Sequence, residues 1–320
     1  MFVQILLTIL GMAIVIFGAE ALVEGASSFA RKLGVSEFII GLTIMGIGTS
    51  LPELVVSFTG AIQGNADVAV GNIVGSNIFN IFIILGLAAL VDPIDITRTN
   101  LRRDIPLNIA GTALLILLGM SHSLFGIGGS DIVHRWTGIL FVILFFVYLY
   151  FSVKHDDRSG DSGEEPKDRK LWVSIVMTVA GLAALVGGGR LFVDSSTALA
   201  RMAGWSDAFI AITILAVGTS LPELTTCLAA ARKHKDSMAL GNILGSNISN
   251  LLLVLGGSAV ITPLGMDGMG WVDLLTMLLS AVILFVVAYT YKKDQLDRYE
   301  GIGFLLIYAA YFVWLLKNLH

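Results

Sequence analysis

Charge is scarce in this chain. Only 14% of its 320 residues are Asp, Glu, Lys or Arg, against about a quarter in a soluble domain of this length. That shortage excludes an ordinary water-exposed surface. With a formal net charge of -4 and only short basic clusters, nucleic-acid binding has no support. Cysteine is nearly absent too: Cys227 stands alone, so it cannot close an intrachain disulfide and belongs to no metal or redox motif. The five histidines, His122, His134, His155, His234 and His320, fall in predicted loops or at the terminus rather than at ligand spacing, and carry no assigned role.

What remains is apolar. Hydrophobic residues make up 56% of the chain and mean hydropathy is +0.85, which marks an integral membrane protein. A membrane-crossing helix needs about 20 mostly apolar residues. Ten such runs are predicted, over 2–28, 37–61, 67–91, 103–120, 132–152, 171–199, 207–231, 237–262, 271–290 and 300–317. The first lacks a basic start and is too long for a secretion-signal core, so it is expected to stay as a span. The only long polar stretch, KHDDRSGDSGEEPKDRK at 154–170, reads as a solvated connector. Its carboxylates Asp156, Asp157, Glu164 and Glu165 lack the spacing of a calcium loop.

The chain repeats itself. Residues 41–86 align with 211–256 without a gap at a fixed offset of 170, and 21 of the 46 paired positions are identical. Five spans per copy is an odd number, so the second copy must enter the bilayer from the opposite side, as in inverted-repeat transporters. The expected architecture is therefore all-α, ten helices in two inverted repeats of five. The first repeat is 1–152, the linker 153–170 and the second repeat 171–320.

Basic residues test the span count. One side collects 16 of the 20 Lys and Arg residues, including Arg102, Arg103, Arg169, Lys170 and Lys233; the other collects Arg135, Arg201 and Lys317. Positive charge accumulates on the cytoplasmic face. Both termini are thus expected outside the cell membrane and the linker within the cytoplasm. The remaining one, Arg190, lies late in the sixth span at the position equivalent to Glu20, near the outer surface where a long side chain can snorkel.

The segment GTSLPE, at Gly48–Glu53 and again at Gly218–Glu223, sets a carboxylate inside an apolar span twice. A mid-bilayer carboxylate costs about 3 kcal/mol on insertion scales, so two of them need compensation. No Lys or Arg lies at that depth, leaving a bound cation or a proton. On a helix Thr49, Ser50 and Glu53 share one face, at spacings of four and three. Pro52 lacks an amide donor and frees a carbonyl a turn earlier, near Gly48, while Gly46 and Gly48 loosen the same stretch. Thr219, Ser220, Pro222 and Glu223, after Ala216 and Gly218, repeat the pattern. Such broken backbone offers the hard oxygens that calcium and sodium prefer.

The following span reads GNIVGSNIFN at 71–80 and GNILGSNISN at 241–250. Asn72, Ser76 and Asn80 recur every four residues as a polar stripe, as do Asn242, Ser246 and Asn250. Gly71 and Gly75, with Gly241 and Gly245, allow close helix approach. Asn and Ser also serve as interhelical glue.

These residues resemble the two alpha-repeats of the sodium/calcium exchangers, in the calcium/cation antiporter superfamily, of the prokaryotic type without a regulatory domain. The resemblance spans the chain in outline and is strongest in 41–86 and 211–256. It implies four broken helices meeting at mid-membrane, with Glu53 and Glu223 on calcium, helped by backbone oxygens at Thr49 and Thr219. Ser50, Ser220, Ser76 and Ser246, with carbonyls near Gly46 and Ala216, would line flanking sodium sites. Some relatives, potassium-dependent ones among them, carry Asp where this chain has Asn80 and Asn250, which argues against potassium coupling here. The resemblance implies no resident cofactor and no obligate protein partner: calcium, sodium and the lipid bilayer are what the chain meets.

The leading expectation is therefore a secondary antiporter that exports calcium against sodium by alternating access. Three sodium ions for one calcium would make each cycle electrogenic. Calcium/proton antiport is the runner-up, and a cation channel is the alternative from a different class. An intramembrane enzyme lacks any nucleophile–base pair in the spans.

Overall fold

The computed structural model describes residues 1–156, 169–203, 216–266, 268–289 and 294–317. Most of the expected linker, with Asp157, Glu164 and Glu165, lies outside the described residues, as does the start of the seventh predicted span. Among the described residues the regular structure is helical, apart from four two-residue strands.

Two helices of 32 residues, α1 (Phe2–Leu33) and a later partner at Leu171–Met202, frame the molecule. At 1.5 Å per residue each is about 48 Å long, more than the hydrocarbon thickness, so they cross at a tilt. Their seam is built from small residues. A methyl group on Gly11 would come within 2.7 Å of the Phe192 amide, and one on Gly181 within 2.7 Å of the Leu22 amide. Larger side chains would hold the two backbones apart.

Helix α1 ends at Gly34, whose φ of 67° only a residue without Cβ adopts cheaply. The Ser36 hydroxyl then accepts the Ile39 amide at 3.1 Å and starts the next helix. That helix, α2 (Glu37–Thr49), and α3 (Leu51–Ile62) meet at a bend of 46°. The predicted second span is thus a broken pair, as the resemblance implies for it. Asn65 caps α4 (Ala66–Val91) by accepting the Val68 amide at 3.2 Å.

Next come α5 (Ile105–Gly119), entered through a π-helical turn at Asn100–Asp104, then α6 (Ser121–Phe125) and α7 (Arg135–Lys154). The second copy comprises α8 (Leu171–Met202), α9 (Ala216–Thr219), α10 (Leu221–Arg232), α11 (Asp236–Ile261), α12 (Trp271–Val287) and α13 (Arg298–Lys317). Strand β1 (Ile94–Asp95) pairs antiparallel with β4 (Gln295–Leu296), and β2 (Ile132–Val133) with β3 (Leu264–Gly265). Each small sheet ties one copy to the other.

Among the described residues, six helices can each cross a membrane by length and composition, and α2 with α3 makes a seventh. This is a multi-pass membrane fold. Its interior lies at α4 and α11, whose most apolar windows are 78% and 83% buried, against 11% for α13. Those two helices also carry the polar stripes, so the polar residues face protein rather than lipid.

Candidate cation site between the two copies

The break between α2 and α3 falls at Ser50 (φ −77°, ψ 8°), and that between α9 and α10 at Ser220 (φ −88°, ψ 8°). Pro52 and Pro222 then sit in the first turn of the new helices, where a missing amide costs nothing. Glu53 and Glu223 occupy the same first turns. The helix dipole there favours an anion.

The break redirects the side chains. Thr49, Ser50 and Glu53 would share a face on a continuous helix, but the 46° bend separates them. The Ser50 hydroxyl donates to Glu223 Oε1 at 3.1 Å, and the Ser220 hydroxyl to Glu53 Oε1 at 3.3 Å. Each carboxylate is therefore served by the opposite copy's serine. From the polar stripes, Ser76 donates to Glu53 Oε1 at 3.4 Å, and the Ser246 hydroxyl lies 3.5 Å from Glu223 Oε1. Thr49 meets Asn242 Oδ1 at 3.3 Å and the Ser246 hydroxyl at 3.5 Å.

The carbonyl expected near Gly46 does accept a bond, from the Ser246 hydroxyl at 3.1 Å. Gly46 allows this because a Cβ there would lie 2.9 Å from the Ser246 amide. Ala216 opens α9. Thr219 lines a cavity of about 470 Å³ together with Asn72, Pro52 and Pro222.

Both glutamates are buried, at 1% and 0% exposure. Yet Glu53 Oε2 and Glu223 Oε2 have no hydrogen-bond partner, and Asn80 Oδ1 and Asn250 Oδ1 share that state. A buried acceptor left unmet costs about 1–3 kcal/mol, and more when charged. Among the described residues no Lys or Arg forms an ion pair with either glutamate; the basic groups pair at Asp104, Glu24 and Glu37 instead. Nor do the described residues contain a cluster of three His, Cys, Asp or Glu side chains that could hold a metal. Two carboxylates and a ring of neutral oxygens make a hard-oxygen site, suited to calcium or sodium rather than to a thiolate- or imidazole-loving metal.

A second layer joins the copies. Asn77 Nδ2 donates to the Asn247 carbonyl at 3.1 Å, and Asn247 Nδ2 returns the bond to the Asn77 carbonyl at 3.3 Å. Asn80 Nδ2 reaches Asn247 Oδ1 at 2.9 Å, and Asn250 Nδ2 reaches Asn77 Oδ1 at 3.3 Å. These bonds point the Asn80 and Asn250 amide nitrogens at the partner copy and leave their oxygens free. Asn72 Nδ2 holds the Glu53 carbonyl at 3.2 Å and Ser57 at 3.1 Å, while Asn242 Nδ2 holds Thr226 at 3.1 Å.

The four-residue stripe does not reach Asn77 and Asn247, which lie off it. They are, however, an identical polar pair at the repeat offset of 170, and that signal marks them.

The family model described as sodium/calcium exchanger protein matches residues 3–154 and 173–317. The chain is 33% identical to the sodium/calcium exchanger MaX1 of Methanosarcina acetivorans, over 97% of this chain and 98% of that protein. It is 36% identical to the inner membrane protein YrbG of Escherichia coli, over 97% and 94% of the two chains. A solved structure of the sodium–calcium exchanger NCX_Mj superimposes with a TM-score of 0.84 at 29% identity, covering 100% of this chain and 99% of that one. The relatives are transporters rather than enzymes, and the chain belongs to the sodium/calcium exchanger family of antiporters.

Proposed function

We propose that the chain exchanges calcium for sodium across the cell membrane by alternating access, with calcium export as the working direction. In this reading ten spans form two inverted repeats, 1–152 and 171–320. The 153–170 linker lies in the cytoplasm and both termini lie outside. The 16-to-3 division of basic residues supports that orientation. The reciprocity of the central hydrogen bonds, which follows the same offset of 170 as the sequence repeat, supports the pairing of the two copies.

One observation carries the reading: two buried carboxylates, each with one oxygen unpartnered, face each other's serines between the copies. Anions so placed are tolerable when a cation occupies the space between them. Glu53 and Glu223 would carry calcium, with backbone oxygens at Thr49 and Thr219. The hydroxyls of Ser50, Ser76, Ser220 and Ser246, and carbonyls at Gly46 and Ala216, would line the sodium positions. Asn80 and Asn250 would add neutral oxygens. Two negative charges balance one calcium, so three sodium ions in exchange would carry one charge over per cycle.

Calcium flux into sealed vesicles tests the coupling. A sodium gradient imposed at constant pH should drive saturable uptake, and a pH gradient without sodium should not. Uptake driven by pH alone would favour calcium/proton antiport, and flux without any counter-ion would favour a channel.

A further inference from the structure

The cavity of about 470 Å³ beside the site is walled on one side by α8, which contributes Arg190 and Asp194. Its far wall is Asn72, Thr219 and the two prolines that open α3 and α10. Asn72 itself holds the Glu53 carbonyl. The cavity therefore abuts the turn that carries Glu53, although neither carboxylate is among its lining residues. Arg190 and Asp194 are four residues apart on one helical face, and both are exposed. Neither makes an ion pair among the described residues. Among those residues, Arg190 is thus the only permanent positive charge lining this cavity.

The other copy differs. Its equivalents, Glu20 and Glu24, are both acidic. Glu20 lines a smaller cavity of about 220 Å³ together with Arg232 and Lys233, and Glu24 is held by Arg169 at 2.6 Å and Lys233 at 2.8 Å. On that side basic groups come from neighbouring elements. On the Arg190 side the charge is built into the wall helix.

We propose that Arg190 and Asp194 form a charge filter at the mouth of the larger cavity, in which Arg190 offsets the attraction of Asp194 and sets how fast a divalent cation enters. This rests on the transport reading above. A unit charge within roughly 10 Å of a divalent ion in water changes its approach by roughly 4-fold, and a cleft wall of low dielectric increases that. The fixed charge acts on the bound ion as well as on the approaching one, so the change falls on the association rate and, through it, on Kd by the same factor.

The test is stopped-flow calcium association with the purified full-length protein in a non-ionic detergent, read with a competing calcium indicator. At low ionic strength Arg190→Gln should speed association roughly 4-fold and Arg190→Glu roughly 10-fold or more, while Asp194→Asn should slow it roughly 4-fold. Dissociation should stay constant and Arg190→Lys should match the wild type. In about 1 M non-transported salt, where charges are screened beyond ~3 Å, the differences should vanish. Wild-type binding with a rate indifferent to charge reversal, or differences that persist in high salt, would overturn the filter alone. Absence of calcium binding by the wild type would overturn the transport reading and the filter with it.

Discussion

Replacing Glu53 by Gln keeps the shape of the side chain and removes its charge, and the structure assigns that change two consequences of opposite sign. The first concerns the cation. Taking away one partner of a buried charge pair costs about 3–5 kcal/mol, which is about two to four orders of magnitude in Kd. The second concerns the empty protein. Glu53 Oε2 is buried without a partner, and the carboxylates of Glu53 and Glu223 lie within electrostatic reach of each other. Neutralising one should relieve on the order of 1–3 kcal/mol in the cation-free state.

The variant should therefore bind calcium far more weakly and, when stripped of cations, unfold at a higher temperature than the wild type. Isothermal titration with calcium and thermal unfolding in chelator read the two effects separately. Glu223→Gln should behave alike, because the serines serve both carboxylates reciprocally. A variant with calcium affinity within about 3-fold of wild type would refute the reasoning. So would a cation-free variant destabilised like an ordinary core mutant.

The same geometry sets three other outcomes. Protons and calcium compete for the same two carboxylates, so calcium Kd should rise as pH falls from about 8 to about 5.5; a pH-independent Kd in titrations across that range would contradict this. Gly245→Ala should impair folding, since a methyl there would meet the Leu42 carbonyl; a cost of about 1–3 kcal/mol or more should appear in thermal unfolding, and an unchanged melting temperature would contradict the close helix approach. Asn77→Ala removes the bond to the Asn247 carbonyl and the acceptor of the Asn250 amide, so stability should fall by about 1–3 kcal/mol. Asn247→Ala loses the mirror-image pair of bonds and should cost the same; a marked inequality between them would count against the reciprocal layer.

Much of the site is legible from residue order because the repeat marks it. Glu53 and Glu223 announce themselves by charge in an apolar run, and the serines by their place beside them. The partner of each serine is not legible. Helical spacing puts Ser50 with Glu53, whereas the bend at Ser50 hands it to Glu223. That bend is a tertiary fact, since the first-turn proline permits a break without fixing its angle. A π-helical turn begins at Asn80 and another at Ser249, where the polar stripes end, and residue order announces neither. Such a turn adds a residue per loop of helix and rotates the side chains beyond it. Ser57 and Thr226, which anchor Asn72 and Asn242, are not equivalent positions in the two copies. No repeat-based reading could reach them. The Arg190 position stands out as an oddity in the sequence, but its place in a cavity wall required the fold.

The central claim is that a mobile cation neutralises two buried carboxylates. The most direct test is a high-resolution map of the protein equilibrated with calcium. Density for an ion is expected about 2.3–2.6 Å from both Glu53 Oε2 and Glu223 Oε2, lost when either residue is Gln. A map in which those oxygens instead meet a basic side chain, or close on each other with no space between, would contradict it.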